Sequence, residues 1–182
     1  DDPTIRRYTG GRDLLQIAKE RYVIDFSFQG ESEARKANPA AFQHLIDHVL
    51  PERRLNQRAV IRERWWRFGW ERPGIRQAIV GLGRFIVTTE TAKNRVFQMI
   101  PADVLPDHMV VIVASDDALH LGVLSSRIHV TWALAAGGRL GVGNDPRYNK
   151  TRCFDPFPFP DATPDQAARI RELAESLDAH RK

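Results

Sequence analysis

At 182 residues, with 42% hydrophobic and 27% charged positions, the chain is long enough to bury a core and ordinary for a soluble globular domain. A single cysteine, Cys153, excludes an internal disulfide framework and suits a reducing cytoplasm; no apolar run approaches the roughly 18 residues of a membrane span, and no signal peptide is visible. The net charge of +4 is mild but local, which leaves nucleic acid open as a partner without requiring it.

The chain starts Asp1-Asp2-Pro3 without methionine and reads as a piece of something longer. Arg12 to Glu20 reads as a short helix ahead of a buried strand, Tyr22 to Phe28. Asp25 lies inside that apolar strand, where a carboxylate needs a partner, and an arginine salt bridge is expected, with Arg72 and Arg84 as candidates. Glu31 to Ala37 is helical but short. Asn38-Pro39 has the form of an N-cap with proline at the first helical position, opening a helix to about Val49 that places Phe42, Leu45, Ile46 and Val49 on one face and ends at Pro51. Leu55 to Phe68 reads as a basic amphipathic helix, broken by Gly69 to Gly74. Pro51 to Arg76 carries eight arginines against three glutamates, either a solvated helix face or a phosphate-binding one.

The period then changes. Phe85 to Thr88, Val96 to Ile100, Val110 to Val113 and Ala118 to Val123 read as strands of a mostly antiparallel sheet. Leu124 to Ala136 returns to helix, with Ser125 as its cap and Gly137-Gly138 as its stop. Arg139 to Cys153 has no period. A Phe-Pro strap follows from Phe154 to Pro160, whose prolines forbid helix and whose rings need apolar cover. Thr163-Pro164-Asp165-Gln166 is a capping box for a last helix that buries Ile170, Leu173, Ala174 and Leu177. The fold class is α+β, a central mostly antiparallel sheet flanked by helices, with a C-terminal helix.

Catalytic motifs fail one by one. His44 and His48 are four apart on a helix, but Leu45 stands where a zinc protease needs glutamate, so a solvated pair is expected. Cys153 has no second thiol near it and reads as packing. Ser125 and Ser126 lack the glycine-flanked elbow of a serine nucleophile. Asp116-Asp117 reads as a turn rather than a metal site. Gly141-Val142-Gly143 follows no strand and precedes no Lys-Ser/Thr, which rules against a phosphate-cradling loop. What remains is a glycine-hinged loop bearing Asn144, Asp145, Arg147, Asn149 and Lys150. These residue types suit base readout in a major groove, where Asn reads adenine, Arg guanine and Asp cytosine; an ordinary exposed loop uses the same turn formers.

Several segments, in order, resemble a known family. They are Gly11-Arg12-Asp13-Leu14, Tyr22-Val23-Ile24-Asp25-Phe26, Trp65-Trp66, Arg72-Pro73 and Arg84-Phe85-Ile86, then Gly122-Val123-Leu124-Ser125-Ser126 with His129 and Trp132, Gly138-Arg139-Leu140, Arg147-Tyr148 and Phe157-Pro158-Phe159-Pro160. Together they are similar to the target recognition domain of MmeI-like restriction–modification adenine methyltransferases of types IIG and IIL.

The resemblance implies a single recognition domain over 1–182: a mainly helical basic part at 1–76, a sheet, helix and recognition loops at 77–160, and a C-terminal helix at 161–182. It implies double-stranded DNA and the methyltransferase domain of the same chain as partners, with the protein a cytoplasmic monomer. S-adenosylmethionine belongs to the parent enzyme, with no cofactor in this fragment. The fragment lacks methyltransferase and nuclease motifs and is expected to be inactive alone. Base readout is expected from Asn144, Asp145, Arg147, Asn149, His108 and Thr89. Backbone contact is expected from Lys93, Arg95, Arg139, Lys150, Arg152 and Arg64. The rival readings are a protein-interaction or scaffold domain of the same parent and, behind it, a nuclease. The Phe-Pro strap is expected to clamp the chain and touch no DNA.

Overall fold

The computed structural model describes residues 2–16, 19–139 and 145–181. They form two compact units, Asp1–Tyr8 with Glu20–Arg76 and Thr9–Lys19 with Gln77–Lys182.

In the first unit β1 (Ile5–Thr9) runs antiparallel to β2 (Tyr22–Ile24), with Ile5 opposite Ile24. Four helices follow: α1 (Glu31–Ala37), α2 (Pro39–His48), α3 (Leu50–Arg54) and α4 (Ala59–Glu63); the unit ends within α5 (Pro73–Ala78). Asn38 caps α2 as its spacing before Pro39 predicts: its Oδ1 accepts from the Ala41 amide at 2.8 Å, while its Nδ2 donates to Asp2 and Thr4 at 2.6 and 3.0 Å. Phe42 and Leu45 of the predicted face are buried, and Phe42 stacks edge-on against Trp65 with ring centroids 5.3 Å apart. Asp25 does hold an arginine bridge, but to Arg76 at 2.8 Å, with Arg6 at 3.5 Å on the same oxygen. Burial opposes its ionisation; the hydrogen bonds from Arg76 and Ser27 outweigh it and hold its pKa below the usual carboxylate value.

Four sequence expectations fail in local geometry. The buried strand Tyr22–Phe28 is shortened to Tyr22–Ile24, with Tyr22 and Phe28 exposed, because Phe28 turns the chain at φ +67°. Arg12–Leu15 is a succession of turns rather than a helix, and Ile17 and Ala18 lie outside the described residues. Pro51 does not end the helical region but sits in the first turn of α3, where its missing N–H is harmless. The long basic helix is reduced to α4, because the Asn56 side chain accepts from the Arg58 amide at 2.9 Å and folds the segment before it can join.

In the second unit β3 (Arg84–Thr89) is the central strand of a three-stranded antiparallel sheet. It pairs with β4 (Gln98–Pro101), Arg84 opposite Pro101, and with β6 (Val110–Val113), Ile86 opposite Val113; β5 is the short strand Leu105–Pro106. Both faces of β3 are covered. Ile86 joins a core with Phe97, Met99, Leu121, Leu124 and Tyr148, while Phe85 and Val87 join a second one with Leu14, Ile100 and Val110. This is the period-two alternation of a strand buried on both sides.

Ala118–Val123, expected as a strand, belongs to the helix α6 (Ala118–Ser125). A short apolar run cannot by itself distinguish the two, and the deciding signal is Asp117, whose carboxylate accepts from the Leu119 amide at 2.8 Å as N-cap. Arg171 also clamps that carboxylate, with two contacts of 2.8 Å, lowering its pKa to about 2. Helix α7 (Arg127–Ala136) is capped by Ser126 rather than Ser125, and Gly138, at φ +71°, takes the left-handed turn that ends it. Helix α8 (Pro164–Arg181) opens on the predicted capping box: Thr163 and Gln166 exchange bonds of 2.9 and 3.4 Å. It buries Ala167, Ala174 and Asp178, whereas Leu173 is 53% exposed. Of the expected face Ala174 is buried and Ile170 and Leu177 are half-buried; Asp178 adds to it, accepting from the Met99 amide at 2.8 Å. The fold is α+β.

Candidate nucleic-acid interface

In the second unit three separate loops are bound into one surface by backbone hydrogen bonds. The residue that joins them is Glu90, directly after β3. Its amide donates to the Met109 carbonyl at 2.7 Å, its carbonyl accepts from the Tyr148 amide at 2.7 Å, and its carboxylate forms an ion pair with Arg147. Bridges between Thr91 and Arg147, and between Arg139 and Pro146, extend the union; the Ala92 amide donates to Pro146 at 3.2 Å and the Arg147 amide to Gly138 at 3.0 Å. Loop segments made of turn formers thereby acquire the fixed geometry of a small ladder. Glu90 lies in the Thr89–Arg95 segment expected to assist base readout, but no motif singles it out there. Its one local signal is a charge placed immediately behind an apolar strand.

Beneath this surface lies a polar rivet. Arg95 is 7% exposed, and its guanidinium donates to Thr88 Oγ1 at 3.2 Å, to the Thr89 carbonyl and to the Pro146 carbonyl at 3.2 Å. It also lies 5.1 Å from the centre of the Tyr148 ring, a cation–π distance. Its burial pulls its pKa down from the ordinary arginine value. Tyr148 is buried, and burial pushes its phenol pKa up; its hydroxyl is 3.1 Å from His129 Nε2.

His129 is itself fully buried, and burial together with the Arg95 charge lowers its pKa to about 4 from a reference of 6.5. The folded protein therefore keeps His129 neutral where the unfolded chain takes up a proton. Stability is expected to fall as pH drops from about 6.5 toward 4, by about 3 kcal/mol from this group. Urea titrations at several pH values check this: His129→Phe should flatten the slope in that window, and an unchanged slope would assign it to other groups.

The Phe-Pro strap packs against the same histidine. Phe157 is buried and meets His129 edge-on at 4.4 Å, and Phe154 and Phe159 contact each other at 5.4 Å. The Trp132 indole donates to the Cys153 carbonyl at 3.2 Å, and Cys153 is fully buried. Asn149 heads the π-turn Lys150–Phe154, its Oδ1 accepting from the Arg152 amide at 3.0 Å.

Each predicted contact residue can now be placed. Asp145, Lys93, Arg139, Lys150, Arg152 and His108 are exposed on this unit; Lys150 also lies 3.6 Å from Asp155. Arg147 is partly exposed, with its Nη2 held by Glu90. Asn144 lies outside the described residues. Arg64 is exposed on the first unit. Three expectations need correction. Arg95 is enclosed and bonded to carbonyls, so it supports the loops instead of meeting phosphate. Thr89 is 3% exposed within β3 and its carbonyl is held by Arg95, so it does not present an edge to a base. Asn149 is half-buried and engaged as a cap, its Oδ1 accepting from the Arg152 amide and its Nδ2 donating toward the Gly137 carbonyl at 3.5 Å, so both ends of the amide that adenine readout requires are already bonded.

The basic cluster of the first unit is thinned in the same way. Arg53 bonds the Arg67 carbonyl, Arg62 the carbonyls of Asn56 and Gln57, Arg67 that of Gln29, and Arg76 the Asp25 carboxylate. Among the described residues no group of three or more His, Cys, Asp or Glu side chains is placed to hold a metal, and His44 and His48 form an exposed pair with rings 4.4 Å apart.

Known proteins resemble the chain at the levels of sequence and fold. DNA methyltransferase A of Bacillus subtilis (strain 168) is 30% identical over 97 residues, covering 51% of this chain and 11% of that protein. The structure of the type IIL restriction–modification enzyme MmeI in complex with DNA superposes with a TM-score of 0.76 at 20% identity, over 97% of this chain and 23% of the MmeI chain. The chain thus corresponds to a minor part of each relative's length. The family described as MmeI, target recognition domain, matches residues 1–161, which include β1, the sheet, the joined loops and the Phe-Pro strap. The chain belongs to the MmeI target recognition domain family.

Proposed function

We propose that this chain is the sequence-recognition domain of a restriction–modification adenine DNA methyltransferase, holding a specific duplex site so that another part of the same polypeptide methylates its adenine. The observation that carries this reading is the union of the loops at Glu90: polar and basic side chains stand on a surface that buried residues hold rigid. Rigid presentation is what direct readout needs, because a bidentate contact to a base edge tolerates little displacement.

In this reading Asp145 and Arg147 contact base edges, joined by Asn144 and His108. Lys93, Arg139, Lys150, Arg152 and Arg64 contact phosphates, and Arg95, Thr89 and Asn149 serve as supports. The partners are double-stranded DNA and the methyltransferase domain of the same chain, and the protein acts as a cytoplasmic monomer. No helix among the described residues is long and apolar enough to cross a membrane.

S-adenosylmethionine serves the parent enzyme from outside this domain. The β6–α6 connection, Ala114-Ser115-Asp116-Asp117, has no glycine, and its Asp117 is held by Arg171. The β2–α1 connection has Gly30 alone, and its Asp25 is held by Arg76. Neither connection resembles the glycine-rich loop after a strand through which the family's methyltransferase domain binds S-adenosylmethionine, which supports placing that cofactor elsewhere in the parent.

Substituting Asp145 or Arg147 in the full-length enzyme and mapping the methylated sites tests the assignment. A change at a defined base position is expected, with discrimination falling by about 1–3 kcal/mol for that base pair. Weaker methylation of an unchanged sequence would reduce Arg147 to a phosphate contact and Asp145 to a structural role, and remove the basis of the proposal.

A further inference from the structure

Glu90 and Arg147 differ in how they meet solvent: the Glu90 side chain is 21% exposed and that of Arg147 43%. The carboxylate is the covered member and the guanidinium the presented one. Glu90 is fixed independently of that ion pair, since its amide and carbonyl are already bonded to Met109 and Tyr148. Arg147 is fixed at its backbone by Gly138 and by the bridge to Thr91. One Nη2 corner of the fork faces the carboxylate, and Arg147 Nε, which is buried, has no partner among the described residues. A guanidinium has five donors in one plane, so holding one corner, on a side chain whose backbone is also held, limits how the rest can turn.

We infer that Glu90 is a specificity-positioning residue: it orients Arg147 toward the O6/N7 edge of a guanine and offsets its charge against use as a general phosphate anchor. The inference rests on the proposed recognition function. An unpaired arginine on such a loop would bind any phosphate within reach, adding affinity without information. Paired, it retains a directed fork and loses much of its nonspecific attraction. The position commits to guanine because bidentate arginine contact to that base is the geometry that an anchored fork favours.

Glu90→Gln in the full-length enzyme keeps the side-chain volume and the backbone bonds while removing the charge. Methylated-site mapping is expected to show guanine preference weakened about tenfold at one base position, with the other positions unchanged. Nonspecific DNA binding should gain a steeper salt dependence, by about one released counterion. A purely structural role would lower methylation at all positions alike, and that result, or an unaltered base profile, overturns the inference.

A parallel Arg147→Ala map separates the two levels. If Arg147→Ala shifts one base position and Glu90→Gln does not, only the role of Glu90 falls; if Asp145 and Arg147 variants both leave the sequence unchanged, the recognition surface itself is wrong. Should Glu90→Gln lower the melting temperature, the reciprocal exchange of Glu90→Arg with Arg147→Glu preserves the pair. It is expected to replace guanine by cytosine at that position, the carboxylate now accepting from N4. Guanine preference surviving the exchange overturns the inference.

Discussion

Arg95→Met is expected to destabilise the protein by about 3 kcal/mol and, in the proposed full-length methyltransferase, to lower methylation at every site without changing which sequence is methylated. The thioether matches the length of the arginine stem but donates nothing. The Thr89 carbonyl would lose its guanidinium donor in an enclosed place, and the Pro146 carbonyl would keep the Ala92 amide alone. An orphaned buried acceptor costs about 1–3 kcal/mol, and hydrogen bonds from a charged donor are the stronger kind. The stacking on Tyr148 is lost as well. Arg95→Lys should recover little, since one ammonium cannot reproduce a fork that spans β3 and the 145–149 segment. Urea unfolding and methylated-site mapping on the same variant decide the matter. If stability is kept while DNA affinity drops and the salt slope flattens, Arg95 is a phosphate contact after all.

Arg95 also shows where sequence reading stops. Lys93 and Arg95 are two residues apart in a polar loop, and their composition gives no reason to separate them. The separation comes from pairing: the segment after β3 is drawn against Pro146 and Tyr148, which encloses Arg95 and leaves Lys93 in solvent. Glu90 and Arg147 are a long-range pair of the same kind, and no local periodicity marks them. By contrast the Asn38 cap, the Thr163 capping box and the β3 and β6 strands follow from short-range rules, and the structure bears them out.

Asn149 fails for a chemical reason. Asparagine is both an adenine reader and a helix cap, and the turn that follows takes it for the second use. The strand assigned to Ala118–Val123 fails for a comparable one. Its continuous apolar run is compatible with either period, and Asp117, read only as a turn former, is the cap that decides it.

Gly137→Ala is expected to cost about 3 kcal/mol and to disable site-specific methylation out of proportion to the stability lost. A Cβ at this position would lie 1.9 Å from the Arg147 carbonyl oxygen, 2.8 Å from that of Ala133 and 3.0 Å from Cys153 Sγ. The first two are backbone atoms, so no rotamer change relieves them; either α7 loses its last turn or the 145–149 segment moves away. Either response moves Arg147, because its amide is bonded to Gly138 at the end of α7. The residue displaced is Arg147, whose backbone position fixes where its fork starts and whether Glu90 still reaches it. A shift of about 1 Å is enough to break a bidentate contact. For a chain of this size the stability change corresponds to a fall in melting temperature of roughly 10 °C. Gly83→Ala is the control: nothing lies within 4 Å of a Cβ there, so methylation and stability should remain near the parent values. Equal small effects at both glycines would mean that the close approach of α7 to Arg147 does not constrain the recognition surface.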